Sequence, residues 1–171
     1  MDHEQLPYKR VSTKLIPLRQ IYNVLLFGIP VILSTIGLLI IHSVTPFFEL
    51  HPMAYLLFFF PAGLLIWGII YAFIIPRQVR AMGYLEKDDD LLLRRGILFR
   101  RHVAVPYGRI QYVDIRQGPL QRAFGLTYIV ITTAGGGTAS TFEGLKMAES
   151  ERLRDELTQR GYARLAELGE S

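Results

Sequence analysis

The chain has four histidines, no cysteine and one acidic run, Asp88-Asp89-Asp90. Without cysteine, a thiolate nucleophile, a disulfide frame and a Cys-ligated zinc are all excluded. His42, His51 and His102 are too far apart in sequence to read as one acid–base or metal cluster. The aspartates could hold a hard cation, which favours carboxylate oxygens, but the run reads first as a turn between strands kept in water by its charge. Gly135-Gly136-Gly137 lacks the following helix that a phosphate-cradling loop needs, because Thr138–Phe142 reads as a strand. Glu143, Glu149 and Glu151 lie near the start of the last helical stretch, where carboxylates complement the helix dipole. No catalytic constellation emerges, so the expectation is a non-enzyme with no catalytic residue, metal or cofactor.

The stretch RRGILFRR places Arg94, Arg95, Arg100 and Arg101 around Gly96-Ile97-Leu98-Phe99. In a continuous strand Arg95 and Arg101 would share a face with Ile97 and Phe99, and Arg94 and Arg100 would share the other with Leu98. Neither face would be apolar, so the spacing predicts a bulge at Gly96 or a turn near Phe99–Arg101. Such charge suits an anionic membrane leaflet, at about 1 kcal/mol per arginine near the surface. A protein partner and a plain solvated edge are the alternatives, in that order. Nucleic acid is not favoured, since strand packing accounts for the interleaved apolar residues.

What must position these residues is set by two apolar runs. Ile21 to Val44 and Met53 to Ile75 contain no Asp, Glu, Lys or Arg, and each exceeds the ~20 residues that cross a bilayer core as a helix. The first is too long for a signal-peptide core and no small-residue cleavage site follows it. Lys9, Arg10, Lys14 and Arg19 precede the first span and Arg77 and Arg80 follow the second, whereas Thr45–Pro52 carries no Lys or Arg. Both termini are therefore expected on the cytoplasmic side, with the short turn outside. Pro30 and Pro61 predict kinks. No Asp, Glu, Lys or Arg lies within a span and His42 falls at its outer end, which argues against a substrate path. Gly28, Ser34, Gly37, Gly63 and Gly68 allow close packing of helices.

Residues 76–125 carry ten Lys and Arg against five Asp and Glu, so the basic excess follows the second span directly. There the periodicity changes. Leu91–Leu98, Val103–Val105, Ile110–Ile115, Leu126–Thr133 and Thr138–Phe142 are rich in β-branched and aromatic residues, with Gly, Pro and Asp at the breaks, which predicts short strands. Gly135-Gly136-Gly137 marks a hairpin turn, Pro119–Phe124 one helical turn, and Met147–Arg160 a closing helix. The expected fold is α+β: a transmembrane helical hairpin followed by a small barrel or sandwich with a C-terminal helix. The boundaries read as an N-terminal segment (1–20), the hairpin (21–75), a linker (76–83), the domain (84–161) and a tail (162–171).

The run VPYGRIQYVDIRQGPLQRAFGLTYIVITTAGG, Val105 to Gly136, resembles the signature of the bacterial PH-domain type 2 membrane proteins, the YdbS-like group. Gly96, Leu98 and Arg100 fit its preceding "G-x-L-x-R". The resemblance covers nearly the whole chain, and implies a pleckstrin-homology-like domain at the plasma membrane without a settled activity. It also implies assembly with a larger membrane protein that repeats the domain. The expected function is thus a membrane adaptor that forms homo- or hetero-oligomers. An accessory subunit of a transport or export complex, or an anionic-lipid sensor, are the alternatives. Tyr107, Arg109, Gln111 and Tyr112 are the expected partner surface, near a strand edge. The four arginines are the expected contacts to lipid or partner.

Overall fold

The computed structural model describes residues 7–44, 51–134 and 137–169. It divides into two units, residues 19–76 and a second unit built from residues 1–18 and 77–171.

In the first unit, α1 (Leu15–Asn23) continues through a π-helical segment (Val24–Gly28) into α2 (Ile29–Val44). Pro30 cannot donate to the carbonyl four residues back, and the wider π turn falls just ahead of it, where such strain is absorbed. Ser34 donates its hydroxyl to the Pro30 carbonyl at 2.7 Å and Thr35 donates to Val31 at 2.7 Å. A 3-10 segment (Pro52–Phe58) leads into α3 (Phe59–Ala81). Pro61 lies in the first turn of α3, where a missing donor costs nothing. It therefore marks a change of helix type rather than a kink inside the span. The proline interior to α3 is Pro76.

A buried polar contact and aromatic packing join these helices. Asn23 is buried and its side-chain NH₂ donates to the Gly68 carbonyl at 3.0 Å. A Cβ on Gly68 would lie 3.1 Å from Phe27, so the helices approach closely there. Phe27 also meets Tyr71, with ring centroids 6.3 Å apart, and His42 meets Tyr55 at 6.2 Å.

The second unit is a sandwich of two antiparallel sheets. One has the order β1-β2-β3-β4: β1 (Lys9–Arg10), β2 (Gly83–Glu86), β3 (Asp90–Arg95) and β4 (Arg101–Pro106). The other has the order β5-β6-β7: β5 (Ile110–Arg116), β6 (Leu126–Thr133) and β7 (Gly137–Lys146). A 3-10 turn (Tyr107–Arg109) passes from β4 to β5, and α4 (Pro119–Ala123) joins β5 to β6. The long helix α5 (Met147–Gly169) packs on β5 and that 3-10 turn. Tyr84 from one sheet meets Phe142 from the other edge to face at 5.5 Å, and both are buried. Leu91, Leu93, Ile129, Ile131, Leu153 and Leu157 fill the layer around them.

The strand positions agree with the alternation in the sequence, while the segment boundaries differ. Residues 9–18 are not a separate flank: β1 pairs with β2 in the register Arg10↔Gly83, and Val11, Leu15 and Leu18 are buried in the domain core. The reason is a bulge. Thr127 and Tyr128 pair with Leu145 and Glu143, which leaves Gly144 as the extra residue with φ +88°. A Cβ there would sit 2.8 Å from Leu15 and 3.3 Å from Val11, and the Ser12 N–H donates to the Gly144 carbonyl at 2.8 Å. Residues 76–83 are not a loose linker, because α3 runs to Ala81 and Val79 and Met82 are buried. The tail is helical through Gly169. Gly161, just past the predicted helix, lies within it: a Cβ there would meet the Tyr107 carbonyl at 3.4 Å. In the predicted β6–β7 turn, Gly135 and Gly136 lie outside the described residues, and Thr133 pairs with Gly137 on either side.

Candidate functional site

The basic stretch Arg94–Arg101 is a tight β-hairpin. Arg94 pairs with His102 and Arg95 with Arg101, and the chain turns through Gly96 at φ +97°. A Cβ on Gly96 would lie 2.0 Å from the Phe99 carbonyl oxygen, so this turn admits only glycine. The four arginines do not share one environment. The Arg94 guanidinium stacks over the Tyr8 ring at 5.3 Å. Arg95 is half-buried and donates to the Thr141 carbonyl on β7. Arg100 and Arg101 are exposed beside the turn. Between them, Ile97, Leu98 and Phe99 are exposed as well, the last two by 85% and 86%. Alternation along a supposed strand hid this, because it assigned those three residues to packing.

The motif surface divides in the same way. Tyr107 is fully buried; its hydroxyl donates to the Lys87 carbonyl at 2.9 Å and Arg160 lies 5.3 Å over its ring. It belongs to the core and is not a partner contact, because the 3-10 turn rotates it inward beneath α5. Gln111 and Tyr112 are exposed on β5, an edge strand, and Arg109 is exposed at the end of the 3-10 turn that precedes it. A register shift between Ile110 and Tyr112 bulges Gln111 out of the ladder. The rest of the long motif builds the fold. Gln117 donates to the Leu126 carbonyl at 2.9 Å, Gln121 accepts the Gly118 N–H at 2.7 Å, and Gly125 turns the chain at φ +64°.

A charged network that the sequence did not disclose ties α5 to the first sheet. Arg152 donates to Glu86 at 2.7 Å, to Glu149 at 2.9 Å and to Glu156 at 2.5 Å. Lys9 adds a bond to Glu86 at 3.1 Å, and the Tyr84 hydroxyl donates to Glu149. Arg152 holds the Glu86 carboxyl down at about 2. Arg152 and then Tyr84 lower Glu149, while burial raises the Tyr84 phenol. With three carboxylates on one guanidinium, this is a structural tie and not a vacant anion site. The i, i+3 and i, i+4 spacing of Glu149, Arg152 and Glu156 could have signalled the helical pairs, but nothing local marks Glu86 as their partner.

The acidic turn is also structural. The Lys87 N–H donates to the Asp90 carbonyl at 3.0 Å, the Tyr107 N–H donates to the Asp89 carbonyl at 3.1 Å, and Arg164 pairs with the Asp89 carboxylate. Among the described residues, no group of three His, Asp or Glu side chains is placed to hold a metal ion. His42 meets Tyr55, whereas the Nδ1 of His102 lies 3.5 Å from the Tyr8 hydroxyl.

A family model described as "Bacterial PH domain" matches residues 24–161. The chain belongs to the bacterial PH-domain family. It is 33% identical over 96 residues to the UPF0699 transmembrane protein YdbS of Bacillus subtilis (strain 168), covering 56% of this chain and 59% of that one. The UPF0699 transmembrane protein YdbT of the same organism is 32% identical over 60 residues, 35% of this chain and 12% of that one. The matched stretch therefore spans less than two thirds of either relative. No solved structure matches the chain. Both relatives are named as transmembrane proteins, and Leu15–Val44 and Met53–Ala81 are long and apolar enough to cross a bilayer. This is a membrane protein with a bacterial PH-like domain. Of the small residues expected in helix packing, Gly68 contacts the neighbouring helix, and a Cβ on Gly28 would touch only Val24 of its own turn. A Cβ on Gly37 or Gly63 would meet nothing within 4 Å. Ser34 spends its hydroxyl on backbone carbonyls of its own helix.

Proposed function

We propose that the chain is a non-enzymatic adaptor that holds its PH-like domain at the cytoplasmic face of the plasma membrane and assembles with itself or with a larger membrane protein carrying the same domain. The observation that carries this reading is the pairing of β1 with β2. These neighbours in one sheet are separated in sequence by both apolar helices. The domain is therefore fixed to its anchor through two chain connections, each emerging from a hydrogen-bonded strand. That construction serves holding and presentation rather than diffusion to a substrate. The orientation rests on Lys9, Arg10, Lys14 and Arg19 before the spans and Arg77 and Arg80 after them.

Two surfaces support assembly. The edge strand β5 offers Gln111 and Tyr112 with backbone groups along its outer side, and Arg109 is exposed in the turn just before it. Gly37 and Gly63, open on their outer sides, leave room for another helix to approach closely. The test is native mass analysis of the full chain in nanodiscs and mild detergents, with identification of co-purifying proteins. A complex is expected that Arg109→Glu or Gly37→Leu disrupts. A wild-type chain that is a monomer in every medium, with nothing co-purifying, would reject the adaptor reading.

A further inference from the structure

We infer that the tip of the β3–β4 hairpin, Ile97-Leu98-Phe99, inserts into the headgroup–acyl boundary of the bilayer while Arg100 and Arg101 hold anionic headgroups around it. Exposure is the first observation. Leu98 and Phe99 are 85% and 86% exposed, more than any other large apolar residue described in the domain. The other exposed ones there, Tyr112, Met147 and Tyr162, are scattered along β5 and α5, and two of them carry a hydroxyl. A lone exposed apolar side chain needs no explanation, but three in a row at a projecting turn mark a contact surface.

The second observation is shape. The Gly96 conformation and its approach to the Phe99 carbonyl fix the turn, so the apolar residues are presented without being ordered first. Charge is the third. No Asp or Glu occurs between Asp90 and Asp114, and Arg94, Arg95, Arg100 and Arg101 border the tip. A basic collar around an apolar point matches an interface in which anionic headgroups surround acyl chains. A protein groove would match the apolar residues but not the exposed Arg100 and Arg101 beside them.

Topology supplies the fourth observation. The registers Arg10↔Gly83, Gly83↔Arg94 and Arg94↔His102 form one row across the first sheet. The hairpin turn thus projects from the end of the sheet at which β1 finishes and β2 begins. The connection between those two strands is the one that contains both apolar helices. The inference rests on the chain being embedded in a membrane and is independent of what the adaptor assembles with.

The chain has no cysteine, so one can be placed at will. Full-length Leu98→Cys and, as control, Tyr162→Cys at another exposed site are labelled with an environment-sensitive fluorophore and reconstituted in nanodiscs. The lipids are phosphatidylcholine alone or with phosphatidylglycerol, and the aqueous quencher is acrylamide. With phosphatidylglycerol, the label at position 98 should be shielded on the order of tenfold more than the control, the partition expected from burying one large apolar side chain. Arg100→Gln with Arg101→Gln, or Phe99→Gln, should reduce that shielding. Equal quenching at both positions in both lipids would overturn the inference. Shielding that persists in a lipid-free amphipol would overturn it too, by showing that protein covers the tip. A monomeric particle with a shielded tip would reject the adaptor and leave this inference standing.

Discussion

Replacing Gly144 by alanine tests whether the segment ahead of the first span is part of the domain. At φ +88° an L-residue costs about 1–2 kcal/mol. The new methyl would also lie 2.8 Å from Leu15 and 3.3 Å from Val11, both buried. Overpacking of that kind costs about 1–3 kcal/mol, giving a total of about 2–5 kcal/mol. Gly125→Ala is the internal control, since Gly125 has φ +64° but nothing within 4 Å of a Cβ. It should lose only the conformational part, about 1–2 kcal/mol. Thermal unfolding of the full chain in detergent, followed by hydrogen exchange, separates the two. For a domain of this size 1 kcal/mol shifts the midpoint by about 4 °C, so Gly144→Ala should fall well below Gly125→Ala. The amide of Ser12, which donates to the Gly144 carbonyl, should lose protection in Gly144→Ala alone. Equal midpoints, with Ser12 unchanged, would refute the docking of residues 11–18 on β7.

The carboxylate network predicts a pH dependence. Glu86, lowered from 4.5 to about 2, and Glu149, also lowered, stabilise the fold fully above the ordinary carboxylate range; that contribution is lost as pH falls from 4.5 toward 2. Glu86→Gln should cost about 1–3 kcal/mol at neutral pH and flatten the acid limb of a denaturation profile; an unchanged limb would remove Glu86 from the tie. In the membrane unit, Gly68→Leu should separate the two helices, because a Cβ there already meets Phe27 at 3.1 Å, whereas Gly37→Leu should leave the hairpin intact. Cysteine cross-linking between positions 27 and 71 reads both, and equal loss of cross-linking would contradict the packing at Gly68.

Local chemistry made much of the molecule legible in the sequence. Uninterrupted apolar length gives the spans, since no charged side chain within either run could be left in hydrocarbon. Period-two alternation gives β5 and β6, and Gly118-Pro119 with Gly125 brackets the short helix between them. What only the tertiary structure decided involves residues far apart in the chain. Tyr107 reads as a surface aromatic until α5 covers it. Lys9 and Arg10 read as a basic flank until they pair with Tyr84 and Gly83. Glu86 meets Arg152 across 66 positions, and no local pattern specifies such a partner. The apolar tip is a mixed case: the arginine spacing signals a break near Gly96, but nothing in the sequence says that Ile97, Leu98 and Phe99 end up outside the sheet. Only the closing of the hairpin at Gly96, which turns those three residues out beyond the last pair Arg95↔Arg101, leaves them in solvent.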